Sequence, residues 1–281
     1  MAIRLMGLDL DGTLLNEEKQ LTPAVKQAVE QAAARGILPV PVTGRPLTGI
    51  PEEVMDLPGI RYVITSNGAL CFSGKEVCFS AFLEQQVAER IAEMARELGD
   101  LYSVFADGIG WSDGKSHRAL MEHFSNTPLS SYMARSRRPV AEWGQFQKDH
   151  GGRIENVWVR TPGKEAGDRL EEAIREDFGS SVQTLRTLPA DVETVSARAD
   201  KGTALLRLAQ TLSIRREEIF AIGDSGNDVG LLRAAGTSVA MGNATKDARE
   251  AADHLTADNE HDGAALAIRR YALGEEETHE L

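Results

Sequence analysis

Residues 3–15 read IRLMGLDLDGTLL. An apolar run that stops abruptly at Asp9-Leu10-Asp11-Gly12-Thr13 has the form of a buried parallel strand whose C-terminal tip presents two carboxylates before a glycine turn. Side chains alternate along a strand, which predicts that Asp9 and Asp11 lean to one side and Leu10 to the other. Like charges held that close raise each other's pKa unless a cation lies between them. Hard oxygen donors with no His or Cys nearby point to magnesium rather than zinc as that cation. Taken alone, the pair is equally well an ordinary strand-ending turn, where Asp and Gly are common.

Working outward, Thr22-Pro23 supplies an N-cap and a first-turn proline, Val25, Ala28, Val29 and Ala32 make one apolar helix face, and Gly36 stops the helix. Residues 37–42 form the next strand and end in Thr43-Gly44-Arg45-Pro46. Strand, helix and strand on short links make a parallel βαβ unit, whose ligands collect at the C-terminal ends of the strands; Thr43 is therefore expected beside Asp9. A third strand over 62–65 closes on Ser66-Asn67-Gly68 at the same edge, and a hairpin follows over 69–82. With Gly74-Lys75 as its turn, Cys71 and Cys78 face each other at a hydrogen-bonded position, as reduced, partly buried thiols.

From there the pattern changes. A helix over 83–98 stopped by Gly99 is followed by a strand over 101–106, a turn-rich stretch over 107–116, a second helical piece, a strand over 154–160, a helix over 164–178 ended by Gly179, and a strand over 192–195. Such spacing predicts a separate α+β layer inserted into the first domain. The first pattern then returns. Asp200-Lys201-Gly202-Thr203 opens a helix with apolar positions Leu205, Leu206, Leu208 and Leu212, and a strand over 219–222 meets Gly223-Asp224-Ser225-Gly226-Asn227-Asp228. A helix, a strand over 238–241 and a C-terminal helix over 263–272 complete the chain, with Glu275, Glu276 and Glu277 expected to fray.

The 42% hydrophobic and 26% charged residues are ordinary for a globular chain of 281 residues, enough for one large or two ordinary domains. A net charge of −12 argues against a general nucleic-acid or anionic-membrane binder. It leaves an anionic small substrate open, because a metal and one or two cations dominate a closed site. No apolar run approaches the roughly 18 residues of a membrane span, and the N-terminus does not read as a signal peptide, so the expected location is the cytoplasm. Trp111, Trp143 and Trp158 all fall in the insert, where residues 101–160 hold eight Lys or Arg against six Asp or Glu; that small surplus of positive charge suits an anionic substrate. Gly108-Ile109-Gly110 is a fragment of a nucleotide-binding pattern without its strand–helix context, and the six His have no zinc-ligand spacing.

Asp9-Leu10-Asp11-Gly12-Thr13-Leu14 resembles the first motif of the haloacid dehalogenase superfamily, DxDGT[LV]. The remaining motifs follow in order: Thr43 after the second strand, Lys201 at a helix start, and a GDxxND turn carrying Asp224 and Asp228. Four short motifs in sequence are far more specific than any one of them. Only 31 residues separate Asp11 from Thr43, whereas 133 separate Asn67 from Lys201, so a cap domain has room only in the second interval. That placement, with SNGA before the insert and VAMGNA after the fourth motif, resembles the Cof-type branch (type IIB cap), whose members are mostly sugar-phosphate and related phosphatases. The expected fold is therefore α/β: a Rossmann-like doubly wound parallel-sheet core over 1–82 and 196–281, with an inserted α+β cap domain over 83–195 that chooses substrate and closes as a lid.

As the resemblance implies, Asp9 attacks phosphorus and forms an aspartyl-phosphate, and Asp11 protonates the leaving alkoxide and then deprotonates the attacking water. Mg2+ is held by Asp9, the Asp11 backbone carbonyl and Asp224. The Thr43 hydroxyl, the Gly44 and Leu10 amides, Lys201 and Asn227 hold the phosphate oxygens, with Asn67 a less specific member, since SNG is also a common turn. Asp228 orients Lys201 or a metal-bound water. The expected activity is a magnesium-dependent phosphatase for small phosphorylated metabolites, sugar phosphates above all, working as a monomer or weak homodimer without nucleic-acid or membrane partners. The rivals are a phosphomutase, whose cap commonly lies between the first two motifs, a dehalogenase, which lacks the second aspartate, and a non-catalytic phosphate-binding module, against which intact Asp9 and Asp11 weigh.

Overall fold

The computed structural model describes residues 2–98 and 101–275. Its centre is β1 (Leu5–Leu8), buried at every position. The alternation of a strand divides its side chains between two apolar layers: Leu5 joins Leu205, Leu208 and Leu231, while Met6 and Leu8 join Val25, Ala28 and Val29. Helix α1 (Pro23–Ala34) starts as its sequence dictates, with the Thr22 hydroxyl accepting from the Val25 amide, and buries Val25, Ala28, Val29 and Ala32. Strand β2 (Leu38–Pro41) contains two prolines and still pairs with β1. The amides of Leu38 and Val42 donate toward β1, so Pro39 and Pro41 turn their missing N–H groups the other way.

A short helix α2 (Glu52–Met55) leads to a three-stranded antiparallel sheet of β3 (Tyr62–Thr65), β4 (Leu70–Ser73) and β5 (Glu76–Ser80), joined to the core where Val42 bridges Ile64. The cysteine register departs from expectation. A bulge between Cys71 and Phe72 sets Cys71 opposite Phe79 and leaves Cys78 as the extra residue, so Cys71 is buried and Cys78 exposed. Both are free thiols.

The inserted layer opens with α3 (Gln85–Leu98); Gly99, expected as its stop, lies outside the described residues. Strand β6 (Leu101–Ala106) is followed by β7 (Ile109–Asp113), within the stretch expected to be turn-rich: Asp107 and Gly108, both with positive φ, make the turn between the two strands. Helices α4 (Gly114–Phe124) and α5 (Ser130–Ser136), strand β8 (Arg137–Val140), helix α6 (Trp143–His150), strand β9 (Ile154–Arg160), helix α7 (Lys164–Phe178) and strands β10 (Val182–Leu185) and β11 (Asp191–Ser196) complete it. The sheet order is β10-β11-β9-β6-β7-β8. Alternation again sorts the faces: Val104, Val157 and Val159 pack under α3 and α7, while Phe105 and Trp158 face α4 and α5 with Phe124 and Met133.

Helix α8 (Lys201–Thr211), capped by Asp200, returns the chain to the core and is followed by β12 (Ile219–Gly223), α9 (Val229–Ala234), β13 (Thr237–Ala240), α10 (Lys246–Ala251), β14 (His254–Leu255) and α11 (Gly263–Ala267). Leu205 and Leu208 are buried as expected, but Leu206 points to solvent at 39% exposure. The core sheet, β14-β13-β12-β1-β2, is parallel throughout. This is the expected α/β core with an inserted α+β cap. Because β1 lies between β12 and β2, the loops after these three strands open at one edge, where the direction of winding reverses. Glu276 and Glu277 lie outside the described residues, and Glu275 pairs with Arg35 rather than hanging free. Among the described residues no helix is long and apolar enough to cross a membrane.

Candidate active site

Asp9 follows β1 directly and is buried. The ammonium of Lys201, at the first turn of α8, donates to Asp9 Oδ1 and to Asp228 Oδ1, each at 2.7 Å, and is itself 1% exposed. The second oxygen of Asp228 accepts from the amides of Asp224 and Ser225, which ties the loop after β12 to the same lysine. Asp224 accepts from the Thr13 hydroxyl at 3.3 Å. Its approach depends on Gly12, with φ +79, where a Cβ would press against the Asp224 carboxylate. Asp9, Asp224 and Asp228 each bring one carboxylate oxygen within 4.8 Å of the others.

Three carboxylates and one ammonium leave this cluster short of positive charge. Burial, and then the Asp228 charge, push the Asp9 carboxyl up to about 7, against the opposing pull of Lys201. Burial and the charges of Asp9 and Asp228 push Asp224 up to about 8. Burial alone would lower the Lys201 pKa, but Asp228 and Asp9 more than reverse that, so the lysine is firmly charged.

Asp11 behaves differently from expectation. The strand ends at Leu8, so alternation no longer governs the next residues, and Asp11 turns to other partners. Its two oxygens accept from Arg45 Nε and Nη2, both at 2.7 Å, and Lys19 Nζ lies 3.3 Å away. Burial raises this carboxyl, but Arg45 and then Lys19 override it and hold it at about 2. Asp9 and Asp11 thus line one cavity while sitting in opposite electrostatic settings. Arg45 has no role in the motif reading of Thr43-Gly44-Arg45-Pro46; a cation following Thr43 at the edge that carries Asp11 is the signal the sequence holds for it.

The remaining expected residues close around this pair. Thr43 is buried, and its hydroxyl accepts from the Arg45 amide at 3.1 Å. Gly44 lines the same cavity. Leu10 sends its side chain into the core and accepts the Thr13 and Leu15 amides on its carbonyl. Asn67, in a left-handed conformation at φ 56, takes a bond from Asn227 Nδ2 at 2.9 Å and gives one to Glu193 Oε2 at 2.6 Å. That makes Asn67 a bridge between core and cap. Beside it the Ser66 hydroxyl donates to Glu155, which also accepts the Gly108 amide. Burial pushes Glu155 up to about 7 despite those bonds. The cap also rests on the core where Arg135 donates to the Thr48 and Gly49 carbonyls.

These groups enclose a cavity of about 300 Å³, at the small end for a metabolite site. Its core side is Asp9, Asp11, Thr43, Gly44, Asp224 and Asn227, and its cap side includes Phe105, Phe124, Tyr132, Trp158, Arg137 and Arg160. Arg160 is neutralised by Asp191 through two bonds of 2.7 Å. Arg137 is not: it makes no ion pair among the described residues. In the sequence, the tryptophans and the surplus of positive charge over 101–160 point to this segment, Trp158 included, but no short motif singles out the individual lining residues.

The sequence pattern of the haloacid dehalogenase-like hydrolases matches residues 6–268. The chain is 29% identical to the putative phosphatase YxeH of Bacillus subtilis, over 96% of this chain and 98% of that one. It is 27% identical to 5-amino-6-(5-phospho-D-ribitylamino)uracil phosphatase YcsE of the same organism, over 96% of each. A haloacid dehalogenase-like hydrolase from Bacteroides thetaiotaomicron superposes with a TM-score of 0.81 at 26% identity, covering 95% of this chain and 99% of that one.

Proposed function

The chain belongs to the haloacid dehalogenase-like hydrolase family, and we propose that it is a magnesium-dependent phosphatase that frees phosphate from small phosphorylated metabolites, sugar phosphates foremost, through an aspartyl-phosphate on Asp9. The observation that carries this reading is the convergence of Asp9, Lys201, Asp224 and Asp228 from three separate loops on one buried, positively undercharged point. An all-oxygen donor set with carboxyls raised to about 7 and about 8 fits a hard divalent cation. Asp9, Asp224 and the Asp11 carbonyl would hold it. Magnesium bound there supplies charge neutralisation, so that a carboxylate and a phosphate can meet despite their repulsion.

The chain's own groups account for the rest. Asp9 attacks phosphorus in line as the bond to the leaving oxygen breaks, and that oxygen takes a proton from Asp11. Water then attacks the phosphorus, Asp11 receives its proton, and the Asp9–phosphorus bond breaks to release phosphate. Arg45 keeps Asp11 ionised in the resting site; an arriving phosphate raises its proton affinity, so that Asp11 takes a proton from solvent before the first step, gives it to the leaving oxygen, and is ionised again for the second. Lys201, the Thr43 hydroxyl, the Leu10 and Gly44 amides, Asn227 and Asn67 hold the phosphate oxygens, and Asp228 fixes the lysine. Residues 83–195 act as the cap that selects the leaving group, and its aromatic wall suits a sugar face or a planar ring. We read the enzyme as cytoplasmic, and as a monomer or weak homodimer.

The test is phosphate release from a panel of sugar phosphates, nucleotides and phosphorylated cofactors, with and without EDTA. Turnover should be lost with EDTA, and Asp9→Asn should lower it at least about 10³-fold. EDTA-insensitive release, or full activity of Asp9→Asn, overturns the mechanism. Binding without release on every member of the panel would favour a phosphate-binding module.

A further inference from the structure

We propose that the substrate carries a second anionic group, a carboxylate or another phosphate, and that Arg137 receives it on the cap side of the cavity. This rests on the phosphatase reading for the position of the first phosphate and names the class of molecule attached to it.

Arg137 begins β8 and lines the cavity, yet it is 3% exposed. Among the described residues its guanidinium donates to two neutral oxygens only, Ser136 Oγ at 2.8 Å and Tyr132 Oη at 3.0 Å. It also lies against the rings of Phe105, Tyr132 and Trp158, with 4.5 Å to the nearest centroid. Nε is buried with no partner. The backbone makes room for this arrangement: Gly110 pairs with Arg137 across β7 and β8, and a Cβ there would strike the arginine stem. Arg160, on the same wall, gives the contrast, since Asp191 takes both arms of its fork. A guanidinium withdrawn from water normally meets a carboxylate. Arg137 meets none among the described residues, while its planar fork is suited to holding a carboxylate or phosphate by two bonds. The missing negative charge is therefore supplied by what enters the cavity.

The alternative is a structural arginine satisfied by stacking on rings. Paired ligands separate the two. Binding of ω-carboxyalkyl phosphonates and of plain alkyl phosphonates of matching chain length is measured calorimetrically with magnesium present. Phosphate release is compared between 6-phosphogluconate and glucose 6-phosphate, and between fructose 1,6-bisphosphate and fructose 6-phosphate. The unaltered enzyme should favour the member with the second anion by about tenfold or more, in Kd and in KM rather than kcat. Arg137→Met should bring that ratio close to one, and Arg137→Lys should leave it in between. No preference in the unaltered enzyme overturns the proposal without needing any variant, and so does an equal loss for both members in Arg137→Met. Preferential binding without phosphate release would sink the phosphatase reading and leave this one standing.

Discussion

Asp11 shows how far a motif can mislead about a side chain's state. Two aspartates in DxD invite the picture of like charges forced together, but only Asp9 carries a raised pKa, and its causes are burial and Asp228 before Asp11. The sequence identifies both carboxylates and their loop; it does not reveal that the loop leaves the strand at Asp9 and delivers Asp11 to Arg45. That pairing depends on where the turn after β2 lies in space, which no spacing encodes. Arg45→Met should therefore release Asp11 from about 2 toward the ordinary carboxylate range near 4. The sign follows from the depressed value. This ion pair adds stability above the unfolded carboxyl's range and loses it as pH falls through about 2. The variant should therefore be less stable than its parent at neutral pH, and the gap should narrow in strong acid to what the Arg45 bond to the Gly49 carbonyl and its contact with the Tyr132 ring contribute at any pH. Carbon-13 NMR titration of Asp11 reads the shift directly, and an unmoved midpoint would refute Arg45 as its cause.

Among the elements, the ones with period and caps in the sequence were legible: α1 begins at the Thr22 cap, and α8 begins at Asp200. What escaped depends on longer-range pairing. The Gly74-Lys75 turn predicts Cys71 opposite Cys78, but one bulged residue shifts the register, and every partner beyond it moves. Strand β7 was hidden because Gly108, Gly110 and Gly114 look like turns, although β6 and β8 hold the segment extended on both sides. Leu206 reads as core by hydrophobicity alone, yet falls on the solvent side of α8. The placement of Lys201 depends on a contact of the same long-range kind. A Cβ on Gly202 would collide with the Gly230 carbonyl, so this glycine lets α8 and α9 approach and sets the lysine against Asp9 and Asp228. Gly202→Ala should cost about 2–4 kcal/mol by overpacking and backbone displacement. Turnover should also drop by more than the folded fraction explains, as denaturant titration and phosphate release on the same sample would show. A stable variant with full turnover would mean that the lysine is positioned by other means.

At the scale of the whole molecule, the fold gathers acids where water is excluded, and this gives the protein an unusual pH dependence. Asp9 at about 7, Asp224 at about 8 and Glu155 at about 7 all lie above the values of 3.8 to 4.5 expected in an unfolded chain. Between those limits the unfolded chain has lost protons that the folded one retains. Stability therefore falls as pH rises from about 4 to about 8, the reverse of the trend given by salt-bridged carboxylates. Glu155 lies between the Ser66 hydroxyl and the Gly108 amide, so its share of this loss acts on the junction of core and cap. Magnesium held there as proposed would bind only after the carboxylates have given up their protons, so its stabilisation should be weak in acid and grow toward pH 8. Scanning calorimetry at about pH 5 and about pH 8 should show Tm in EDTA dropping with pH. Added magnesium should raise Tm by several degrees at pH 8 and by little at pH 5. Asp224→Asn should flatten the EDTA curve and abolish most of the magnesium response. Glu155→Gln should flatten part of the same curve and leave the magnesium response in place, because Glu155 lies at the junction of the layers and outside the acid cluster. If magnesium raised Tm equally at both pH values, the acids would already be ionised in the folded protein, and the undercharged cluster on which the catalytic reading depends would not exist.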